Sequence, residues 1–228
     1  METGIVTNWS NKPPGFPWVT VTIISLCTGV MLLYVGLSPL AQQVMLELGG
    51  VVPGELSLLL SRPGGWSDQQ LLTLSTALFI HANWLHLVGN MVYLWVFGLA
   101  LERRLGKLGM LVIFIAGGTL SNLFVVVRLP DLASPIIGAS GAVSAIVGAY
   151  LGLFPLRRIG MLLPLGLYLQ FARVPAVLVI GSWFTLQLVY SVLGPITGIV
   201  AWWTHMAGFT LGLILSLLVR AMAQVKLG

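Results

Sequence analysis

Apolar runs follow one another along most of this chain, and their lengths sort them into two kinds. Runs near twenty residues can cross a hydrocarbon core ~30 Å thick as helices. By that measure, spans fall at about 17–37, 83–101, 109–127, 174–193 and 196–219. A shorter run, 140–155, makes a helix of ~24 Å at about 1.5 Å per residue. Arg157 and Arg158 hold its far end at water, so Ser140 lies below the opposite surface. Residues 132–139 are then irregular backbone inside the slab, allowed only where protein or a watery cavity surrounds it.

The remaining stretches are punctuation. Residues 1–16 are polar and carry Pro13 and Pro14, reading as a tail. Residues 38–80 mix Gly49-Gly50, Pro53-Gly54 and Pro63-Gly64-Gly65 turns with runs at 56–60 and 71–74 that are too short to cross. These predict helices lying in the headgroup plane. Between Arg157 and Arg173, the run 159–171 is interrupted by Pro164 and two glycines and is not counted as a span. The pattern predicts an all-α membrane protein: one domain over 1–228, a six-transmembrane-helix bundle with a short central fourth helix.

Composition sharpens the class. The chain is 57% hydrophobic and 7% charged, with a mean hydropathy of +1.00, outside the range of soluble domains. A net charge of +5 could suggest nucleic acid, but the basic residues stand singly or in pairs at span ends, so that partner is rejected. They read as topology signals. With both termini inside, Lys12, Arg103, Arg104, Lys107, Arg157, Arg158, Arg173, Arg220 and Lys226 are cytoplasmic, against Arg62 and Arg128 outside. That bias supports the span count and places the protein as multi-pass in a prokaryotic inner membrane. Cys27, alone, makes no intrachain disulfide, and no cleaved leader is expected.

Polar groups inside spans are functional candidates. His86 and Asn90 are i, i+4 on one helix face; Ser140 opens the fourth span; Thr204 and His205 lie in the sixth. The topology sets all three groups toward the outer side. Span four also carries a small-residue row, Ser140, Ser144, Gly148 and Gly152; span six carries His205, Gly208, Gly212 and Ser216. Such rows let helices approach closely in lipid. Were they to meet, a hydroxyl would neighbour an imidazole, the nucleophile and base of acyl transfer. His86, Asn90 and a backbone amide at Ser140 could then hold the oxyanion. No carboxylate lies inside a span, so the expectation is a Ser140–His205 dyad.

Blander readings compete. A membrane serine usually bonds its own backbone, and Asn90 could bridge helices. Glu102 and Arg104 read as an interfacial ion pair, and His81 as loop support. A metal site of His81, His86 and His205 is disfavoured, because 81 and 86 miss the i, i+4 register and no His-Glu-x-x-His is present. Ala142 excludes the hydrolase elbow Gly-x-Ser-x-Gly.

Together these residues resemble the rhomboid family of intramembrane serine proteases. The likeness rests on His86-x-x-x-Asn90, Glu102-x-Arg104, Gly138-Ala-Ser140-Gly141 and His205-x-x-Gly208-x-x-x-Gly212, and extends from Trp66 to Val219. It implies Ser140 as nucleophile, His205 as base, and His86 and Asn90 in the oxyanion hole, with no metal or cofactor. It also implies single-span membrane proteins as substrates, cut near the outer interface. Span five with the 194–200 loop would be the gate and cap, Trp183 and Phe184 its residues. The alternative is a client-binding pseudoprotease on the same fold; a transporter is disfavoured because the polar groups cluster at one end. The sequence departs from the pattern twice. Some members carry an aromatic four residues after the serine, beneath the histidine, where Ser144 stands here, and the 156–173 linker is longer and more apolar.

Overall fold

The computed structural model describes residues 15–64, 69–165, 168–193 and 196–225. The N-terminal tail as far as residue 14, with Lys12, and also Gly65, Trp66, Lys226 and the 194–195 step of the expected cap, lie outside them. The helices are α1 (Trp18–Gly36), α2 (Pro39–Gly49), α3 (Pro53–Leu60), α4 (Thr73–Thr76), α5 (Trp84–Tyr93), α6 (Leu99–Arg128), α7 (Ser140–Leu153), α8 (Ala176–Leu193) and α9 (Ile196–Val225). Each stretch read as a span holds a helix.

A π-helical turn, Leu94–Gly98, joins α5 to α6. The path from Trp84 to Arg128 is continuously helical by hydrogen bonding, yet it turns back. Gly106 sits at φ 75°, ψ 177°, a left-handed φ that favours glycine. In a straight helix Gly98 and Met110 would be ~18 Å apart. Instead the Met110 methyl lies 3.0 Å from where a Cβ on Gly98 would stand.

The core forms around α7, which is buried along nearly its whole length. α6 flanks it through Gly117 and Gly118, where Cβ atoms would meet Ala145 and, at 2.7 Å, Leu78. α9 lies along it through glycines on both helices. Outward residues such as Leu33, Leu85, Val127 and Leu186 are largely exposed, as suits surfaces that lipid covers.

The 38–80 segment, expected to hold helices in the headgroup plane, is tied to the bundle by side-chain contacts. Its last part, with 3₁₀ turns at Gln69–Leu72 and Ala77–Phe79 around α4, dips into the bundle. Ala77 and Leu78 are fully buried, and the Asn122 side chain of α6 donates to the Leu74 carbonyl at 2.9 Å. Leu78 packs in the main core cluster, and Ala77 packs with Val51, Leu56, Leu74 and Val126. The 156–173 linker, uncounted as a span, is an antiparallel hairpin of β1 (Arg158–Leu165) and β2 (Tyr168–Pro175), the non-helical element in the all-α reading. Gly160 and Pro164 disfavour a helix there, and strand pairing satisfies the backbone instead.

Glu102 has a defined task. α1 starts after Pro17, which offers no side-chain cap. The Glu102 carboxylate supplies one from the α5–α6 ribbon, accepting from the Val19 N–H at 2.9 Å, the Thr20 N–H at 2.8 Å and the Thr20 hydroxyl at 2.7 Å. An anion at a helix N-terminus also meets the positive end of the helix dipole. Hydrogen bonds to a charged group contribute about 1.5–3 kcal/mol. Glu102→Gln, which turns one acceptor oxygen into a donor, should therefore lower stability by about 2–3 kcal/mol, read as a fall in the thermal midpoint in detergent.

Candidate active site

Three local structures set the site. The first is the start of α5. Asn83 caps it, its Oδ1 accepting from the His86 N–H at 2.9 Å, which fixes His86 in the first turn. Asn90 follows one turn on and donates from Nδ2 to the His86 carbonyl at 3.0 Å. Both side chains line one cavity of about 1090 Å³.

The second is the loop leading into α7. It is pinned by a bridge between Val51 and Ile136 and by the Gly138 N–H donating to the Ala77 carbonyl at 2.8 Å. Gly138 adopts φ +114°. A Cβ there would stand 2.6 Å from His86 Cε1 and 2.7 Å from its Nε2, so glycine is required both by backbone conformation and by contact with the imidazole. The next residue, Ala139, donates its N–H to His81 Nε2 at 3.4 Å. Burial, reinforced by neighbouring His86, pushes the His81 imidazole down to about 4, so it is neutral at pH 7 and its lone pair can accept. The reading of His81 as loop support is thereby given a partner atom. Its ring stands edge-on to His86, centroids 5.1 Å apart.

The third is the α7–α9 contact. A Cβ on Gly208 would run into the Gly141 carbonyl, one on Gly212 into that of Ala145, one on Gly148 into that of Phe209, and one on Gly152 into the Ser216 hydroxyl. A Cβ on Gly141 would stand 2.9 Å from Thr204 Cγ2 and 2.8 Å from Ser121 Cβ of α6. The residue after Ser140 therefore meets the residue before His205. Ser140 is half-buried, His205 is buried, and both line the cavity that holds His86 and Asn90. The structure thus brings all four expected site residues to one space.

Around His205 the structure supplies what the sequence left open. Ser144 gives the imidazole no ring; it is buried and donates to the Ser140 carbonyl at 2.7 Å. The aromatic comes from α8, where Trp183 lies 5.5 Å from His205 between centroids, tilted 40°. Trp183 also meets Tyr93 of α5 at 6.0 Å, and both rings line the cavity. Sequence reasoning named Trp183 for the gate and missed its place against the histidine, since no spacing rule links positions 183 and 205. Among the described residues His205 Nδ1 has no hydrogen-bond partner, and no group of three or more His, Cys, Asp or Glu could hold a metal.

A profile of the Rhomboid domain matches residues 68–222, more than half of the chain. The chain belongs to the rhomboid family. With three helices among the described residues long and apolar enough to cross a bilayer, this rhomboid is an integral membrane protein. It is 37% identical over 87 residues to "Putative rhomboid protease YdcA" of Bacillus subtilis, covering 38% of this chain and 43% of the relative. It is 41% identical over 68 residues to Rhomboid-like protein 11, chloroplastic, of Arabidopsis thaliana, covering 30% and 24%. To Rhomboid-like protease 3 of Toxoplasma gondii it is 35% identical over 99 residues, covering 42% and 37%. The chain thus spans less than half the length of each of these relatives.

Gly138→Ala should force either the left-handed residue or the His86 ring to move, at a cost of about 1–3 kcal/mol. Gly212→Val, which drives a branched side chain into the Ala145 carbonyl, should be worse and separate α7 from α9. Thermal unfolding of the two variants checks both, with Gly29→Ala, which meets nothing within 4 Å, as the near-neutral reference.

Proposed function

We propose that this rhomboid is an intramembrane serine endopeptidase that cleaves transmembrane segments of single-span membrane proteins near the outer interface. The observation that carries the reading is the single cavity lined by Ser140, His205, His86 and Asn90, at the level where α7 and α9 touch.

In this reading the Ser140 hydroxyl attacks the scissile carbonyl carbon while His205 takes its proton. The oxyanion that forms is held by donors from His86, Asn90 and the Ser140 N–H, a backbone group left free by the first turn of α7. Collapse expels the amine, which leaves with the proton from His205. Water, deprotonated by the same imidazole, then hydrolyses the acyl ester and restores the serine. No carboxylate joins the dyad; the Trp183 ring and the packing of α9 hold the imidazole. A cavity of about 1090 Å³ is just above the usual small-molecule range and accommodates several residues of an unwound segment. Entry lies between α5 and α8, where Tyr93 and Trp183 meet, and Phe184 packs behind against Trp202 and Phe209. The basic residues at the α7–α8 end support a cytoplasmic placement of that side and of both termini.

Ser140→Ala and His205→Ala should each abolish cleavage of a model transmembrane substrate in proteoliposomes and labelling by a fluorophosphonate, with thermal stability retained. Asn90→Ala should reduce kcat by about 10²–10³-fold, the usual effect of losing an oxyanion donor. Undiminished cleavage by Ser140→Ala would reject the protease. A folded wild-type protein that binds clients but neither cleaves nor labels would select the pseudoprotease instead.

A further inference from the structure

The β1–β2 hairpin takes no part in the site, and it carries an unusual charge arrangement. Arg158 pairs with Pro175 and Gly160 with Arg173. Paired residues of an antiparallel ribbon share a face, as do residues two apart on one strand. Arg158 and Arg173 therefore stand on one face as diagonal neighbours, about 7–8 Å apart. The opposite face begins with Ile159, which packs against the helical core, so the arginine face is turned away from the bundle. Both arginines are exposed.

Arg157 completes the cluster. Its carbonyl accepts the Ala176 N–H at 2.8 Å, closing the base of the hairpin where α8 begins. Its exposed guanidinium lies 5.2 Å over the Phe154 ring at the end of α7. Three cations thus crowd the point where two apolar helices end. The sequence offers them little relief: no Asp or Glu follows Asp131, and Glu102 already caps α1. Residues 159–172, between the arginines, carry no charge at all.

A two-stranded ribbon has open edges, and unpaired backbone groups are not tolerated in hydrocarbon. Its apolar sequence is equally ill-suited to bulk water. The headgroup layer satisfies both demands, and there a phosphodiester fits a pair of guanidinium forks. We propose that the base of the hairpin, Arg157, Arg158 and Arg173, is a binding site for the headgroup of an anionic phospholipid.

Native mass spectrometry of the purified protein, given equimolar phosphatidylglycerol and phosphatidylcholine of matched chains, tests this. Wild type should retain phosphatidylglycerol preferentially, and each arginine should contribute about fivefold to that preference. Arg157→Gln/Arg158→Gln/Arg173→Gln should bring the two lipids to parity, with Arg173→Gln alone as the milder variant should the triple change fail to fold. Removing equal charge elsewhere, as Arg62→Gln/Arg103→Gln/Lys107→Gln, should leave the preference intact, and excess inorganic phosphate should not displace the lipid. No preference in wild type would overturn the site, as would an undiminished one in the hairpin variants. An equal loss in the distant triple variant would reduce it to bulk charge, and displacement by phosphate would make it an ion site; either result would overturn the proposal.

Discussion

The rest of the structure depends on how closely α7 and α9 approach. Lipid tails are as apolar as leucine, so burying apolar side chains does little to bring two membrane helices together; van der Waals contact between backbones does. Here glycines alternate across the interface, with Gly141, Gly148 and Gly152 on one side and Gly208 and Gly212 on the other, each set against backbone or a small side chain. Any Cβ at these positions would push the helices apart. The same contacts fix register, because a glycine opposite a carbonyl has no equivalent one residue along. Register is what sets Ser140 and His205 at one level.

A second constraint is the irregular backbone before α7. An unwound loop within a bilayer must have its polar groups met by protein. The Val51–Ile136 bridge, the Ala77 carbonyl and the neutral His81 ring meet those of Ile136, Gly138 and Ala139. The short helices between α1 and α5 are therefore part of the scaffold around Ser140. Gly138 joins this scaffold to His86, since only a residue without a side chain leaves room for the ring.

Much of this was legible in the sequence because it obeys short-range periodicity. Apolar run lengths gave the helices, the i+4 rows of small residues gave the α7–α9 seam, and His86 with Asn90 declared a polar helix face. What could not be read comes from contacts with no sequence period. The ring against His205 is Trp183, from another helix, while the position that spacing would examine holds Ser144. Glu102 also caps the start of α1, more than eighty residues away, a role that no local spacing announces. The apolar stretch 159–171 looked like a failed span because strand alternation is hidden when nearly every residue is apolar.

The central claim is that the seam between α7 and α9 delivers a hydroxyl to an imidazole beside an oxyanion site. A crystal structure of the protein after reaction with a fluorophosphonate would test it most directly. The account predicts phosphorus bonded to Ser140 Oγ, its oxygen within about 3.2 Å of donors from His86 or Asn90, and His205 Nε2 facing the same phosphonyl group. An adduct on another residue, or an Oγ and imidazole separated by an intervening helix, would contradict it.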